Sequence, residues 1–585
     1  MSGAIYDKDL DVSDLSDVRH AQAASLNAPA GQTDQPVLAV DGLQVALPRG
    51  ADRPHAIENL SVRIHAGRTL CIVGESGSGK SVLATTIMGL LAKELNVTQG
   101  SIRLGGEALI DDGRACSDRR LRELRGTGMG MVFQEPMTAL NPVHTCGEQV
   151  DELLRTHTRW SAAERRAHIL SIFERVRLPD PQRIYGSYPH QLSGGQRQRI
   201  VIAMAIVLKP RLLICDEPTT ALDVTTQAEI LKLVAELQAE QGSAVLFITH
   251  DMGVVAEIAD DVMVMHLGRV VEQGPREQVL RQPREPYTRM LLDAVPSMTP
   301  PLPRTLPGGP PLMAAQGVGK TYVRRDWLGR GKSNVALRDA AVAVHRGETV
   351  GVVGESGSGK STFARCMIRL IDPTEGTIHW GGDEVQALPE RQLRALRSRV
   401  QVVFQDPNRS LNPRRTVGSS IIEGAMNFGL DRNAALKLAG ELMDRIRLPR
   451  TALDRYPHQF SGGQRQRLAI ARAVACQPQV LVADEAVSAL DVSVQAQILE
   501  LLREIQRDLG LGLLFITHDL RVAAQLCDRV IVMSRGEIVE QGLTADVFLR
   551  PRDDYTRRLL AAAPRAELGT QPSTDAVHEL SLIHI

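Results

Sequence analysis

The sequence predicts an α/β protein of two tandem domains, each a mainly parallel sheet covered by helices. Three observations carry that expectation. The octapeptide GESGSGKS occurs twice, with Lys80 and Lys360 lying 280 positions apart. Three further pairs share an offset of 268: SGGQRQR beginning at Ser193 and Ser461, Asp216-Glu217 with Asp484-Glu485, and FITHD with His250 and His518. Around these repeats, short β-type apolar runs alternate with stretches of helical period, the pattern of strands joined by crossover helices.

In chain order, the first 36 residues carry Asp7, Asp9, Asp11, Asp14 and Asp17 and read as a flexible acidic tail without the features of a signal peptide. The first domain is assigned to 37–296. Its apolar run from Thr69 to Val73 leads straight into the first octapeptide, and Leu83, Ile87 and Leu91 then fall on one helical face. The first copy is longer than the second between its lysine and its SGGQ serine, and the extra stretch around 107–119 is expected to be a loop. Leu212 to Cys215 and Val245 to Ile248 read as strands, separated by a helix with Ile230, Val234 and Leu237 on its inner face. A Pro/Gly-rich stretch over 297–311, SMTPPLPRTLPGGPP, is expected to be a short, semi-rigid linker. The second domain, 312–564, repeats the order from Thr349 to Val353 onward, and 565–585 reads as a flexible tail.

Composition excludes several classes. At 585 residues the chain exceeds one core, and 43% hydrophobic with 23% charged residues is ordinary for folded domains. Lys plus Arg and Asp plus Glu both total 68, so no basic excess points to nucleic acid. The seven cysteines form no CxxC pair. The most apolar runs, such as 201–208, fall far short of the roughly 20 residues that a membrane helix needs.

The chemistry lies in the repeats. Gly74, Glu75, Ser76, Gly77, Ser78, Gly79, Lys80 and Ser81 follow a strand and open a helix, as do Gly354, Glu355, Ser356, Gly357, Ser358, Gly359, Lys360 and Ser361, with Thr362 next. Such loops wrap phosphates in backbone N–H groups while the lysine reaches the β and γ phosphates and the serine binds Mg²⁺. Asp216 and Asp484 end buried apolar strands, where a carboxylate is costly unless it meets a cation, so each is expected to hold Mg²⁺. Glu217 and Glu485 stand next to them, placed to polarise an attacking water, and His250 and His518 end another strand facing the γ-phosphate. Ser193, Gly194, Gly195 and Gln196, and likewise Ser461, Gly462, Gly463 and Gln464, sit where a helix begins and form a second anion site.

Taken in order, the phosphate loop, a glutamine after a strand (Gln134, Gln405), SGGQ, the Asp-Glu pair, an ALD segment and a histidine resemble ATP-binding-cassette ATPases over about residues 37–564. The resemblance implies two tandem P-loop NTPase domains, each with a small antiparallel β part and a helical subdomain. It implies that ATP at Lys80 and Asp216 is closed by Ser461 and Gly463, and ATP at Lys360 and Asp484 by Ser193 and Gly195. It further implies that Asp223 and Asp491 communicate between the halves, and that Gln134 and Gln405 link Mg²⁺ and the water to a transmembrane partner.

FQEPMTALNP from Phe133, FQDPNRSLNPR from Phe404 and the two YPHQ segments are similar to the dipeptide, oligopeptide and nickel importer ATPases. Fusion of both cassettes most resembles the ATP-binding subunits of glutathione importers. That likeness implies ATP and Mg²⁺ as ligands and two membrane permeases as partners. It also implies an extracytoplasmic solute-binding protein acting through them, and a peripheral place on the cytoplasmic face of the inner membrane. Uptake of glutathione or other short peptides is the expected work. A soluble double cassette acting on ribosomes or nucleic acid is the alternative, but such a role calls for a long charged linker, zinc cysteines or a basic face, and this sequence has none of them.

The extensions PYTRMLLDAVP and DYTRRLLAAAP contain no cysteine, so no iron–sulfur cluster is expected. The two sites are expected to be unequal. Tyr322 is placed to stack on adenine, whereas the comparable position of the first domain is Leu47, and no Phe, Tyr or Trp lies between Gln44 and Glu58.

Overall fold

The computed structural model describes residues 35–563 apart from 135, 221, 326–330 and 489. The tail over 565–585, and nearly all of the acidic tail over 1–36, lie outside the described residues. The chain divides into two compact units, one centred on residues up to 293 and the other on 294–563.

In the first unit, β1 (Leu38–Ala46), β2 (His55–Ile64), β3 (Thr69–Val73), β4 (Asn96–Leu104), β5 (Glu107–Asp111) and β6 (Arg114–Ala115) precede β7 (Met129–Val132), β8 (Leu212–Asp216), β9 (Ala244–Ile248), β10 (Asp261–His266) and β11 (Arg269–Pro275). Six of them form a sheet in the order β11-β10-β3-β9-β8-β7, parallel except for the β10–β11 hairpin. β3, β8 and β9 are buried along their whole length, which is why each reads as an unbroken apolar run. A second, antiparallel sheet runs β2-β1-β4-β5-β6.

The second unit repeats the plan with β12 (Met313–Arg325), β13 (Gly331–Val344), β14 (Thr349–Val353), β15 (Glu375–Trp380), β16 (Asp383–Glu384), β17 (Val400–Val403), β18 (Val480–Asp484), β19 (Gly512–Ile516), β20 (Arg529–Ser534) and β21 (Glu537–Leu543). Its sheets run β17-β18-β19-β14-β20-β21 and β13-β12-β15-β16. After Gln134 and Gln405 come the helical parts, with Cys146–His157 and Ala162–Arg175 in the first unit and Val417–Asn427 and Arg432–Arg445 in the second. Thr145, Ser161, Thr416 and Asp431 cap these helices through their side chains, a local signal readable in the sequence. Among the described residues, no helix is long and apolar enough to cross a membrane.

Two local expectations are corrected. The stretch around 107–119 is not a loop: β5 and β6 form a hairpin across Asp112 and Gly113, whose φ angles are 47° and 73°, and the helix Asp118–Leu124 follows. Leu109 and Ile110 are buried, and that burial holds the hairpin against the unit's core. The helix after the first phosphate loop spans Lys80–Ile87 and ends before Leu91, because the chain turns at Gly89 with φ 64°. Within the Pro/Gly stretch over 297–311, Ser297, Thr299 and Arg304 bond to the second unit. Arg304 donates to both carboxylate oxygens of Asp528, at 2.6 and 2.8 Å, and Gln525 Nε2 donates to the carbonyls of Ser297 and Thr299. The same Asp528 accepts the N–H of Thr349, where β14 begins its run toward the phosphate loop.

Candidate functional site

Each phosphate loop leaves a buried parallel strand and enters a helix whose first residue is the lysine. Gly74 has φ 146°, and a Cβ there would lie 2.1 Å from the carbonyl oxygen of Met265; at Gly354 the values are 147° and 2.2 Å from Met533 O. Only glycine fits, both for backbone conformation and for the close approach of β10 or β20. Lys80 Nζ donates to the carbonyls of Gly74 (2.7 Å) and Glu75 (2.9 Å), and Lys360 Nζ to those of Gly354 (2.7 Å) and Glu355 (2.8 Å). Both lysines are buried. Burial lowers the pKa of Lys360 against the opposing pull of neighbouring carboxylates, Glu485 foremost. A buried ammonium at the open N-terminus of a helix makes a strong site for phosphate oxygens.

The carboxylates lie at the ends of β8 and β18. Ser81 Oγ donates to Asp216 Oδ1 at 3.1 Å, and Asp216 has its pKa raised, chiefly by burial. Asp484 is likewise raised by burial and by the charge of Glu485, and its buried Oδ1 has no hydrogen-bond partner. The next residues, Glu217 and Glu485, take left-handed backbone conformations, with φ 47° and 50°, that non-glycine residues rarely adopt. Gln134 Nε2 donates to Glu217 Oε2 at 2.9 Å and Gln405 Nε2 to Glu485 Oε2 at 2.7 Å. His250 Nδ1 lies 3.4 Å from Glu217 Oε2, and His518 Nδ1 lies 3.6 Å from Glu485 Oε2. Burial works to raise the Glu217 carboxyl, but His250 and the hydroxyl of Thr220 outweigh it and hold the pKa at about 2. The structure thus brings glutamine, glutamate and histidine together in both units.

In the second unit Glu485 is lowered despite burial, through His518, and His518 is raised despite burial, through Glu485. The glutamate's contribution to stability is present above its ordinary value of 4.5 and is lost in stronger acid. The histidine's is complete below 6.5 and fades as rising pH passes its elevated pKa. The unfolding midpoint of the protein should therefore exceed that of His518→Ala most between about pH 4.5 and 6.5, with the gap narrowing in alkali. A gap that widens toward alkaline pH would contradict the pairing.

The serine–glycine motifs sit apart on their own helices, Gly194–Ile206 and Gly462–Val474. Ser193 Oγ accepts from Gln196 N while the Gln196 side chain accepts from Ser193 N, and Ser461 and Gln464 repeat the exchange. Asp223 and Asp491 immediately precede the helices Val224–Gln241 and Val492–Leu509. Tyr322 is exposed on β12, with Lys320 Nζ 5.4 Å from its ring centre, whereas Leu47 is packed against the first unit's core.

A cavity of about 460 Å³ opens over the second phosphate loop, lined by Ser356, Gly357, Gly359, Lys360, Ser361, Thr362 and Glu485, and also by Asn334, Val335, Ala336, Arg535 and Gly536. Sequence reasoning missed the last five, as well as Thr220. Arg535 and Gly536 follow β20 at the turn into β21, too far along the chain from the loop for local spacing to connect them. The residues present fit a hard divalent cation: the unpaired buried carboxylate oxygen on Asp484 and the Ser361 hydroxyl are both oxygen donors.

The family description "ABC transporter" matches residues 57–220 and 337–488, and "Oligopeptide/dipeptide transporter, C-terminal region" matches residues 271–331. The chain is similar to the glutathione import ATP-binding protein GsiA of Salmonella choleraesuis (strain SC-B67), at 45% identity over 561 residues covering 91% of this chain and 90% of the relative. The protein of the same name from Escherichia coli O157:H7 is 45% identical over 566 residues, covering 92% and 90%. A solved dimeric ATP-binding cassette in a post-hydrolysis state, bound to ADP and Pi, is 29% identical with a TM-score of 0.36, covering 40% of this chain and 98% of its own.

Proposed function

The chain belongs to the ABC transporter family, as an ATP-binding importer ATPase, and from that premise we propose that it energises uptake of glutathione or another short peptide. The observation that carries the reading is similarity over nearly the whole chain to glutathione import proteins, with both phosphate loops intact. Importer ATP-binding subunits work with membrane permeases. Here the partners are two transmembrane permease subunits, on which this chain docks peripherally at the cytoplasmic face of the inner membrane, with a solute-binding protein serving them from outside. The match of residues 271–331 to an oligopeptide/dipeptide transporter region supports a peptide cargo.

In this reading the loops from Gly74 and from Gly354 hold the ATP phosphates with Lys80 and Lys360. Ser81 with Asp216, and Ser361 with Asp484, hold Mg²⁺, which neutralises phosphate charge when bound. Glu217 and Glu485 polarise the attacking water, with Gln134 and Gln405 linking it to Mg²⁺. His250 and His518, paired with the glutamates at 3.4 and 3.6 Å, serve as the groups that contact the γ-phosphate. The N-termini at Ser193 and Ser461 serve as second phosphate-binding surfaces. The sites are unequal: Thr220 holds the Glu217 carboxylate at 3.0 Å, while Ser488, its counterpart, donates to the backbone carbonyl of Glu485.

ATP-dependent uptake of labelled glutathione and of di- and tripeptides by the complex reconstituted with its permeases tests the proposal. Transport of at least one of these, at a rate at least about tenfold above the nucleotide-free control, is expected. Failure with all of them would remove the peptide reading.

A further inference from the structure

The extension after each cassette sends one tyrosine hydroxyl into the phosphate loop. Tyr287, on the helix Pro286–Asp293, accepts the backbone N–H of Glu75 at 3.3 Å, and Tyr555, on Asp554–Ala561, accepts that of Glu355 at 3.0 Å. The bonded groups are 212 and 200 residues apart in sequence, and both tyrosines are half-buried.

The peptide unit involved is the one whose carbonyl the lysine holds. Gly74 C=O and Glu75 N–H belong to a single peptide plane: Lys80 grips its oxygen at 2.7 Å and Tyr287 its nitrogen. In the second unit Lys360 and Tyr555 grip the two ends of the Gly354–Glu355 plane. Glycine on one side leaves that plane free to rotate, so two opposed hydrogen bonds set its orientation.

The tyrosine is itself anchored. Glu272 of β11 accepts the N–H groups of Arg284 (2.9 Å) and Glu285 (3.2 Å) just before the helix, and Glu540 of β21 accepts those of Arg552 (2.9 Å) and Asp553 (3.1 Å). Glu272 is 8% exposed. The edge strand, the carboxylate, the helix start and the tyrosine therefore form one connected strut in each unit. Tyr287 is further fixed by stacking on His266, with ring centres 4.0 Å apart, and burial pushes the Tyr555 hydroxyl up to about 12, so it stays protonated at neutral pH.

The geometry points to Tyr287 and Tyr555 as positioning residues for ATP binding, holding the first peptide plane of each phosphate loop, and hence its lysine, in the shape that receives phosphates. The inference rests on the ATP-site reading above and gives the extension a task inside the cassette.

The test is ATP affinity of the full chain, measured by titration for the protein itself, Tyr555→Phe, Glu540→Gln and the double variant, each also carrying Lys360 intact and Lys80→Ala to silence the first site. Phe keeps the ring and removes only the hydroxyl. ATP is expected to bind Tyr555→Phe about threefold to tenfold more weakly, the worth of one hydrogen bond, with an unchanged unfolding midpoint in the absence of nucleotide. Glu540→Gln should weaken binding in the tyrosine background and add nothing in the phenylalanine background. Unchanged affinity in Tyr555→Phe, or full additivity in the double variant, would overturn the inference. Lack of ATP binding by the Lys80→Ala parent would instead overturn the ATP-site reading.

Discussion

Glu217→Gln combined with Glu485→Gln is expected to lower ATP turnover by about 10²- to 10⁴-fold while leaving ATP affinity within a few-fold of the unaltered chain. Each substitution preserves size and keeps a hydrogen-bonding oxygen for Gln134 or Gln405, whose amide nitrogens lie 2.9 and 2.7 Å from the carboxylates. It removes the negative charge that polarises the attacking water and that holds His250 and His518. The loss thus falls on the chemical step and not on the phosphate cradle. Single variants should differ, because the Glu217 carboxylate is bound by Gln134, His250 and Thr220 whereas Thr220 has no equivalent at the Glu485 carboxylate. Steady-state hydrolysis with a parallel ATP titration measures both quantities. Undiminished hydrolysis in the double variant would remove these glutamates from the mechanism.

Legibility in the sequence followed chain distance. The phosphate loops could be read because strand, glycines, lysine and serine are neighbours, and the chemistry of each is carried by residues within eight positions. Repetition at a fixed offset then turned isolated residues such as His250 and Gln134 into members of a set. The core strands are equally plain, because burial on both faces demands unbroken apolar runs such as Leu212 to Cys215. The hairpin at β5 and β6 is hidden by the length difference between the two copies, although Ala108, Leu109 and Ile110 before Asp112 and Gly113 carry a strand-and-turn pattern. The helical period extends through Leu91, and a period carries no sign of the turn at Gly89. Contacts such as Glu75 to Tyr287 join chain segments 212 residues apart and have no local signal at all. A hint existed in the 268-residue offset, since Glu272, Tyr287 and Thr288 recur as Glu540, Tyr555 and Thr556.

Gly354→Ala should abolish ATP binding in the second unit, because two independent penalties act on one atom. The backbone φ of 147° lies where L-residues are strained, at a cost of about 1–3 kcal/mol. The added methyl would also sit 2.2 Å from Met533 O and 3.0 Å from Ser358 Oγ. The first neighbour is a backbone carbonyl of β20, held by parallel pairing to β14 and antiparallel pairing to β21, so no rotamer change relieves the overlap. The loop must move, and it takes with it the Gly354 carbonyl that orients Lys360. Gly308→Ala is the matched control, since its methyl would meet nothing within 4 Å and its backbone is ordinary. Titration should find the ATP stoichiometry per chain halved in Gly354→Ala, abolished when Gly74→Ala is added, and unchanged in Gly308→Ala. The unfolding midpoint should fall with each loop substitution, because the overlap strains the protein whether or not nucleotide is present. Full stoichiometry in Gly354→Ala would mean that the loop has a second arrangement competent for phosphate, and that close packing against β20 is not what shapes it.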